Sequence, residues 1–185
     1  MLRYITSIVF SILITMSFSV AEVLEDIKIN GNKRISKETI IVLGKIEVNT
    51  DYNDNELNNV LKNLYNSNFF KEIDLSLSNG LLTINLTENP IIENIEITGI
   101  KSKSFKQKIS ESISLKDRMS FTEDQLQKDI TLIKNILKSN GFYFAKIEPS
   151  FIKDNELNSV KIRLNIDEGE RARIKEISFI GDKKI

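Results

Sequence analysis

The sequence predicts an α+β protein built from tandem β-α-α-β-β units, each a three-stranded mixed sheet with two helices on one face. Three observations carry that prediction. A strand–glycine segment occurs three times, two amphipathic helices open with matching caps, and a hairpin pattern follows each of those helices.

The repeated segment reads Val23–Gly31, Ile91–Gly99 and Arg173–Gly181. In each copy apolar and polar residues alternate, the period of a strand with one buried face. Ile27/Ile29, Ile95/Ile97 and Ile177/Phe179 are expected on the inner side. A glycine closes each copy, supplying a turn that a side chain would hinder. Self-similarity at this spacing is the mark of serial units.

A short helix is expected next, over Ser36–Leu43 in the first unit and Ser104–Ser114 in the second. Ile40 and Leu43, then Phe105, Ile109 and Ile113, form their inward faces. The long helices start at Asn53 and Thr122, both good N-caps, with Glu56 and Gln125 three residues later in the capping-box position. Acidic residues in the first turn complement the helix dipole. The stripes Leu57, Leu61, Leu64 and Leu126, Ile130, Ile133, Leu137 follow the helical period. Asn68 and Gly141 are residue types suited to the left-handed position after a helix. The aromatic pairs after them, Phe69-Phe70 and Phe142-Tyr143, are expected in the core.

Each hairpin then alternates. Ile73, Leu75, Leu77 and Leu82, Ile84, Leu86 flank Asn79-Gly80, a strong turn signal. In the second unit Ala145, Ile147 and Phe151 precede a turn over 154–158, and Val160, Ile162, Leu164 and Ile166 follow it. Polar residues such as Glu72, Asp74, Ser76, Lys161 and Arg163 take the opposite, wet face. The units are expected over 22–90 and 91–170, with residues 171–185 the start of a third. A lone first strand cannot bury its own face, so the chain reads as a fragment of a longer protein.

Residues 1–21 read as a secretory signal: one positive charge at Arg3, an apolar run Ile5–Phe18, and small residues at Ser19 and Ala21. Cleavage between Ala21 and Glu22 is expected. The competing reading, an uncleaved anchor, needs about 20 apolar residues, and serines and Thr15 interrupt this shorter run. The remainder has 25 basic and 26 acidic side chains. That near-neutral balance lacks the phosphate-neutralising charge of a nucleic-acid binder, so no nucleic acid is expected.

The chain has no His and no Cys. An imidazole base, a His-ligated metal, a thiolate nucleophile and a disulfide are thereby excluded. The acidic groups Asp51/Asp54/Glu56 and Asp167/Glu168/Glu170 fall at a helix start and at a joint between units, where capping and solvation explain them better than metal binding or acid–base chemistry. Lys101, Lys103, Lys106 and Lys108 read as a solvated helix face. No catalytic residue, metal or cofactor is expected, and the protein is expected not to be an enzyme.

The ordered features together carry a family resemblance. The β-α-α-β-β repeat, the segment Asn30-Gly31-Asn32, the run Leu64–Phe70 followed by Asp74 and Leu75, and the joint Glu88-Asn89-Pro90 before Ile95 resemble polypeptide-transport-associated (POTRA) domains in an array from an outer-membrane protein assembly factor. The resemblance covers residues 23–185. It implies the periplasmic portion of a Gram-negative outer-membrane protein, exported by its signal peptide. It also implies a membrane β-barrel C-terminal to these residues and not present here. The implied partners are unfolded outer-membrane proteins and accessory assembly lipoproteins. Two-partner secretion transporters, the translocation assembly module and cell-division or envelope proteins share the domain type and remain the alternative.

In that family's domain the first hairpin strand lies at a sheet edge. Independently, Pro149 falls within a predicted strand, and proline is confined to edges or bulges. An edge strand can template an extended guest peptide, a mode called β-augmentation. The expected polypeptide-binding residues are Glu72, Ile73, Asp74, Leu75, Ser76 and Leu77. Lys146, Ile147 and Glu148 form the weaker edge, because Pro149 removes one donor there.

Overall fold

The computed structural model describes residues 21–173 and 175–178. The expected signal segment up to residue 20, together with Ile174, Phe179 and Gly181 of the third repeat, lies outside the described residues. The chain divides into two compact units between Glu88 and Asn89.

The first unit runs β1 (Glu22–Val23), β2 (Asp26–Asn30), α1 (Lys37–Gly44), β3 (Asp51–Tyr52), α2 (Asp54–Asn66), β4 (Phe70–Ser78) and β5 (Leu81–Glu88). The second runs β6 (Ile91–Thr98), α3 (Lys103–Ser112), α4 (Glu123–Ser139), β7 (Lys146–Asp154) and β8 (Ser159–Asp167). Each holds a three-stranded sheet, ordered β2-β5-β4 and β6-β8-β7. The first and last strands of a unit pair in parallel, and the hairpin strands pair antiparallel. The α+β mixed-sheet class read from the sequence is the observed one.

Two details depart from the expected first strand. In unit one it is split: β1 pairs with β3 in a separate two-stranded ladder before β2 begins. Leu24, between β1 and β2, is fully buried, and its N–H and C=O bond Thr50 and Asn49. The backbone therefore turns at this point to serve two ladders. Residues 175–178, expected to open a third strand, have no strand structure, and Ile177 is 66% exposed. In both complete units the first strand pairs with a strand that follows much later in the chain, and no described residue plays that part for 175–178.

Local signals dictate the helices. Ser36 accepts a hydrogen bond from Thr39 N–H and caps α1. Ser102 does the same for α3, two residues before the expected start. At α2 the capping box is complete, with Asn53 and Glu56 bonding each other's backbone N–H. At α4 only half of it forms: Thr122 accepts from Gln125 N–H. The Gln125 side chain donates instead to Asp129 Oδ1. Asn68 (φ 60°) and Gly141 (φ 92°) take the left-handed conformation that ends the long helices. Asn79 and Gly80 both have positive φ, the signature of a two-residue type I′ hairpin turn.

Each unit has its own core. In the first, Ile40, Leu64, Leu82 and Ile84 are fully buried with Phe70 and Tyr52 beside them. In the second, Ile109, Ile133, Leu137, Leu164 and Ile166 form the centre. The aromatic pairs behave differently. Phe69 and Phe70 pack edge to face, with Phe70 buried. Tyr143, expected in the core, is 57% exposed and lies beside the Lys138 ammonium. The cause is one extra residue in unit two between the left-handed residue and the point where the edge strand registers. Ile73 faces Leu86 five residues after Asn68, whereas Ile147 faces Ile166 six residues after Gly141. Phe144, at the position matching Phe70, is 78% exposed.

Two buried carboxylates tie loops to this framework. Glu88, at the end of β5, accepts N–H bonds from Lys33, Arg34 and Ile35 at 2.8–2.9 Å and pairs with the Arg34 guanidinium at 3.0 Å. Asp129 in α4, only 2% exposed, holds the Ser114 and Leu115 N–H groups. Burial pushes the Glu88 carboxyl up, but the three N–H donors and Arg34 outweigh it and hold the group below the usual carboxylate range.

The repeated glycines are sterically required. Gly31 and Gly99 have φ of 90° and 87°, and a Cβ on either would lie 2.0 or 1.9 Å from the Leu86 or Ile166 carbonyl oxygen. Gly31→Ala and Gly99→Ala are each expected to destabilise their own unit by about 2–4 kcal/mol, read as a lowered urea midpoint for core resonances of that unit. Glu88→Gln is expected to cost about 1–3 kcal/mol at neutral pH. Because the folded carboxyl titrates low, its contribution is present above the ordinary glutamate range and lost as pH falls through the lowered value. The stability gap between native and variant chains, followed by urea unfolding, is therefore expected to close on acidification.

Candidate functional site

The strand orders leave β4 and β7 at open edges, and hydrogen-bond parity decides which of their groups face outward. Asp26 N–H donates to Gly80 C=O at 3.1 Å. With Asp26 opposite Leu81, this turns the even-numbered residues of β5 toward β2 and the odd ones toward β4. Opposite those odd residues stand Glu72, Asp74, Ser76 and Ser78. The backbone groups of these four are spent inside the sheet. Ile73, Leu75 and Leu77 therefore direct N–H and C=O away from it. The expected stretch 72–77 thus divides into three residues that present edge groups and three that do not.

Side chains follow the same alternation. Ile73, Leu75 and Leu77 pack partly buried against the core. Asp74 accepts from the Asn85 amide on the opposite face, Asn85 accepts from Asn30, and Glu72 accepts from Thr87. A polar ladder across all three strands keeps that face wet. Unit two repeats the arrangement, with Arg163 bonded to Glu96 at 2.8 Å and Lys161 to Glu93 at 3.2 Å.

In unit two, Ile91 N–H donates to Asn158 C=O, which turns the odd residues of β8 toward β7. Lys146, Glu148, Ser150 and Ile152 pair inward against them, and Ile147, Pro149, Phe151 and Lys153 face out. Of the expected weaker edge, only Ile147 presents edge groups. Pro149 sits at an outward position, so its missing N–H is lost from the open edge and not from the ladder.

The first edge carries a restriction that sequence reasoning missed. Ile73 N–H donates to the Tyr65 hydroxyl at 3.2 Å. Tyr65 lies in the last turn of α2 beside fully buried Leu64, on the side of the helix toward the strand. A tyrosine one residue past a core leucine was the only signal, and nothing in its spacing points to a β-strand amide eight residues on. Leu75 and Leu77 N–H have no such cap among the described residues. At the start of β4 a bulge between Phe70 and Glu72 takes Lys71 out of register.

Two of the acidic residues noted in the sequence have local backbone partners. Glu56 completes the α2 capping box, and Asp167 accepts from Gly169 N–H. Glu22, the first residue of β1, accepts from Gly80 N–H at the hairpin turn. No helix among the described residues is long and apolar enough to cross a membrane.

Residues 90–169 match the family model POTRA, described as surface antigen variable number repeat. The chain is 30% identical over 171 residues to the outer membrane protein assembly factor BamA of Neorickettsia risticii, covering 92% of this chain and 23% of that protein. It is 28% identical over 163 residues to BamA of Neisseria meningitidis serogroup B, covering 86% and 20%. The chain thus spans about a quarter or less of the length of these relatives. Among solved structures, the N-terminal domain of Omp85 from Thermosynechococcus elongatus superposes with a TM-score of 0.57 at 12% identity, covering 82% of this chain and 65% of that one. POTRA1-2 of the periplasmic domain of Omp85 from Anabaena gives 0.52 at 10% identity, covering 84% and 100%. At those identities the superpositions speak for the fold alone. The second unit thus matches the POTRA family model, nearly the whole chain is similar in sequence to BamA assembly factors, and its fold is that of solved POTRA-domain structures.

Proposed function

We propose that this chain is a periplasmic polypeptide-binding scaffold of an outer-membrane β-barrel protein assembly machine, taking up client or partner strands by β-augmentation. The observation that carries the reading is the open β4 edge, where Leu75 and Leu77 turn backbone donors and acceptors outward with no partner among the described residues. Backbone pairing recognises an extended conformation and tolerates many sequences. It therefore suits unfolded outer-membrane proteins as clients, and accessory lipoproteins offering an extended segment as partners. At roughly 0.5–1.5 kcal/mol per hydrogen bond, a few such bonds give weak, reversible association. Reversibility fits a station that hands its cargo on.

The relatives' name supports the assembly context, and the rest of such a protein would supply a membrane β-barrel. Export with cleavage between Ala21 and Glu22 fits the same reading, since Glu22 is the first residue of β1 and its carboxylate is used by the fold. The unit boundaries proposed from sequence, 22–90 and 91–170, keep each clamp and each sheet inside one unit.

The edge of β4 is proposed as the better site and that of β7 as the poorer one, because Pro149 interrupts the outward donors of the second. Titrating the chain with an octapeptide of alternating threonine and valine is expected to shift amide resonances within 71–78 and to shift 146–154 less. Unmoved resonances over 71–78 at millimolar peptide would exclude this site.

A further inference from the structure

The Tyr65 hydroxyl stands where a guest strand's carbonyl would have to stand. A strand adding to β4 satisfies outward N–H groups with its own carbonyl oxygens, about 2.9 Å away. At Ile73 that place is taken: the phenol oxygen accepts the N–H at 3.2 Å. Two further observations hold it there. Leu64, the residue before it, is fully buried in the first unit's core. The helix end is also closed by Ser67 N–H to Leu64 C=O and Asn68 N–H to Tyr65 C=O, so the backbone that carries the ring is anchored. The ring is 41% exposed and therefore lies at the surface a guest would approach.

We infer that Tyr65 is a register stop: it ends strand addition at Ile73 and confines a guest to the stretch Asp74–Ser78. The inference rests on the strand-addition reading of β4 and narrows it to a specificity-determining residue. A guest in this stretch pairs with Leu75 and Leu77. Its side chains then fall into a fixed alternation, one set continuing the half-buried face of Leu75 and Leu77 and the other the polar face of Asp74 and Ser76. A sheet edge with no stop tolerates slippage by two residues at little cost. With the N-terminal half of β4 blocked by Tyr65 and by the bulge between Phe70 and Glu72, the guest has one register. Extended segments of about five residues with an apolar–polar alternation are the partner this surface fits.

Tyr65→Phe tests the assignment, because it keeps the ring and removes only the oxygen. Amide exchange and affinity are measured on the chain with the threonine–valine octapeptide and with its five-residue form. In the native chain, peptide is expected to protect Leu75 and Leu77 amides and leave Ile73 unchanged. In the variant, Ile73 is expected to exchange faster when free and to become protected by the octapeptide. The variant is expected to bind the octapeptide about 2–10-fold tighter, one hydrogen bond's worth, with no gain for the pentapeptide. Protection of Ile73 by the octapeptide in the native chain, or equal octapeptide affinity in the two proteins, overturns the stop and leaves strand addition intact. Absence of protection at Leu75 and Leu77 in both proteins overturns the strand-addition reading, and the stop with it.

Discussion

Parallel pairing between the first and last strands of each unit is the constraint on which the rest of the structure depends. β2 lies along β5 and β6 along β8, so the last strand is central and the other hairpin strand is pushed to the rim. The crossover must leave the first strand, carry two helices over one face, and return. It leaves at Gly31 or Gly99, where the backbone passes against the carbonyl of the last strand too closely for any side chain. The same glycine that marks the repeat in the sequence thereby permits the strand order that opens an edge.

Around this shared frame each unit solves its local problems differently. The loop entering α1 is held by Glu88 through three N–H bonds and Arg34. The loop leaving α3 is held by Asp129. At the position matching Asp129, unit one has the buried apolar Val60, and its corresponding loop is tied by Tyr52 through Glu47 N–H and by Asn63 through Gly44 C=O. A carboxylate in a core is tolerated only where backbone donors surround it. Glu88 and Asp129 both meet that condition.

The two edges differ by the same logic. Both keep their outward carbonyls, and each loses a donor midway, one to proline and one to a tyrosine hydroxyl. The losses are unlike in kind. Pro149 can never supply its hydrogen bond, whereas Ile73 retains an N–H that a competing acceptor occupies. The first edge is therefore limited by a side chain with rotatable bonds, the second by covalent structure. A difference between the edges read from Pro149 alone overstates the contrast, because Tyr65 occupies a donor of the first edge as well.

Much of the fold was legible because it is written in nearest-neighbour chemistry. The caps at Ser36, Asn53 and Thr122, the left-handed Asn68 and Gly141, the Asn79-Gly80 turn and the alternation of Ile73, Leu75 and Leu77 each act within a few residues, so a linear reading finds them. Which strand would sit at the rim came from the family resemblance, with Pro149 as a second pointer. The exposure of Tyr143 and Phe144 was not legible, since a single extra residue changes which side chains meet the core only once the sheet register is known. Nor were the Glu88 and Asp129 clamps, the half-formed box at Thr122, or the Tyr65 bond to Ile73. Those join groups whose closeness arises from helix packing on a sheet. The sequence by itself determined the repeated unit and the order of its main helices and strands. Only the tertiary structure decided which backbone groups on the open edge face outward and which one is already taken, because hydrogen-bond parity and side-chain reach are properties of packed elements and not of spacing along the chain.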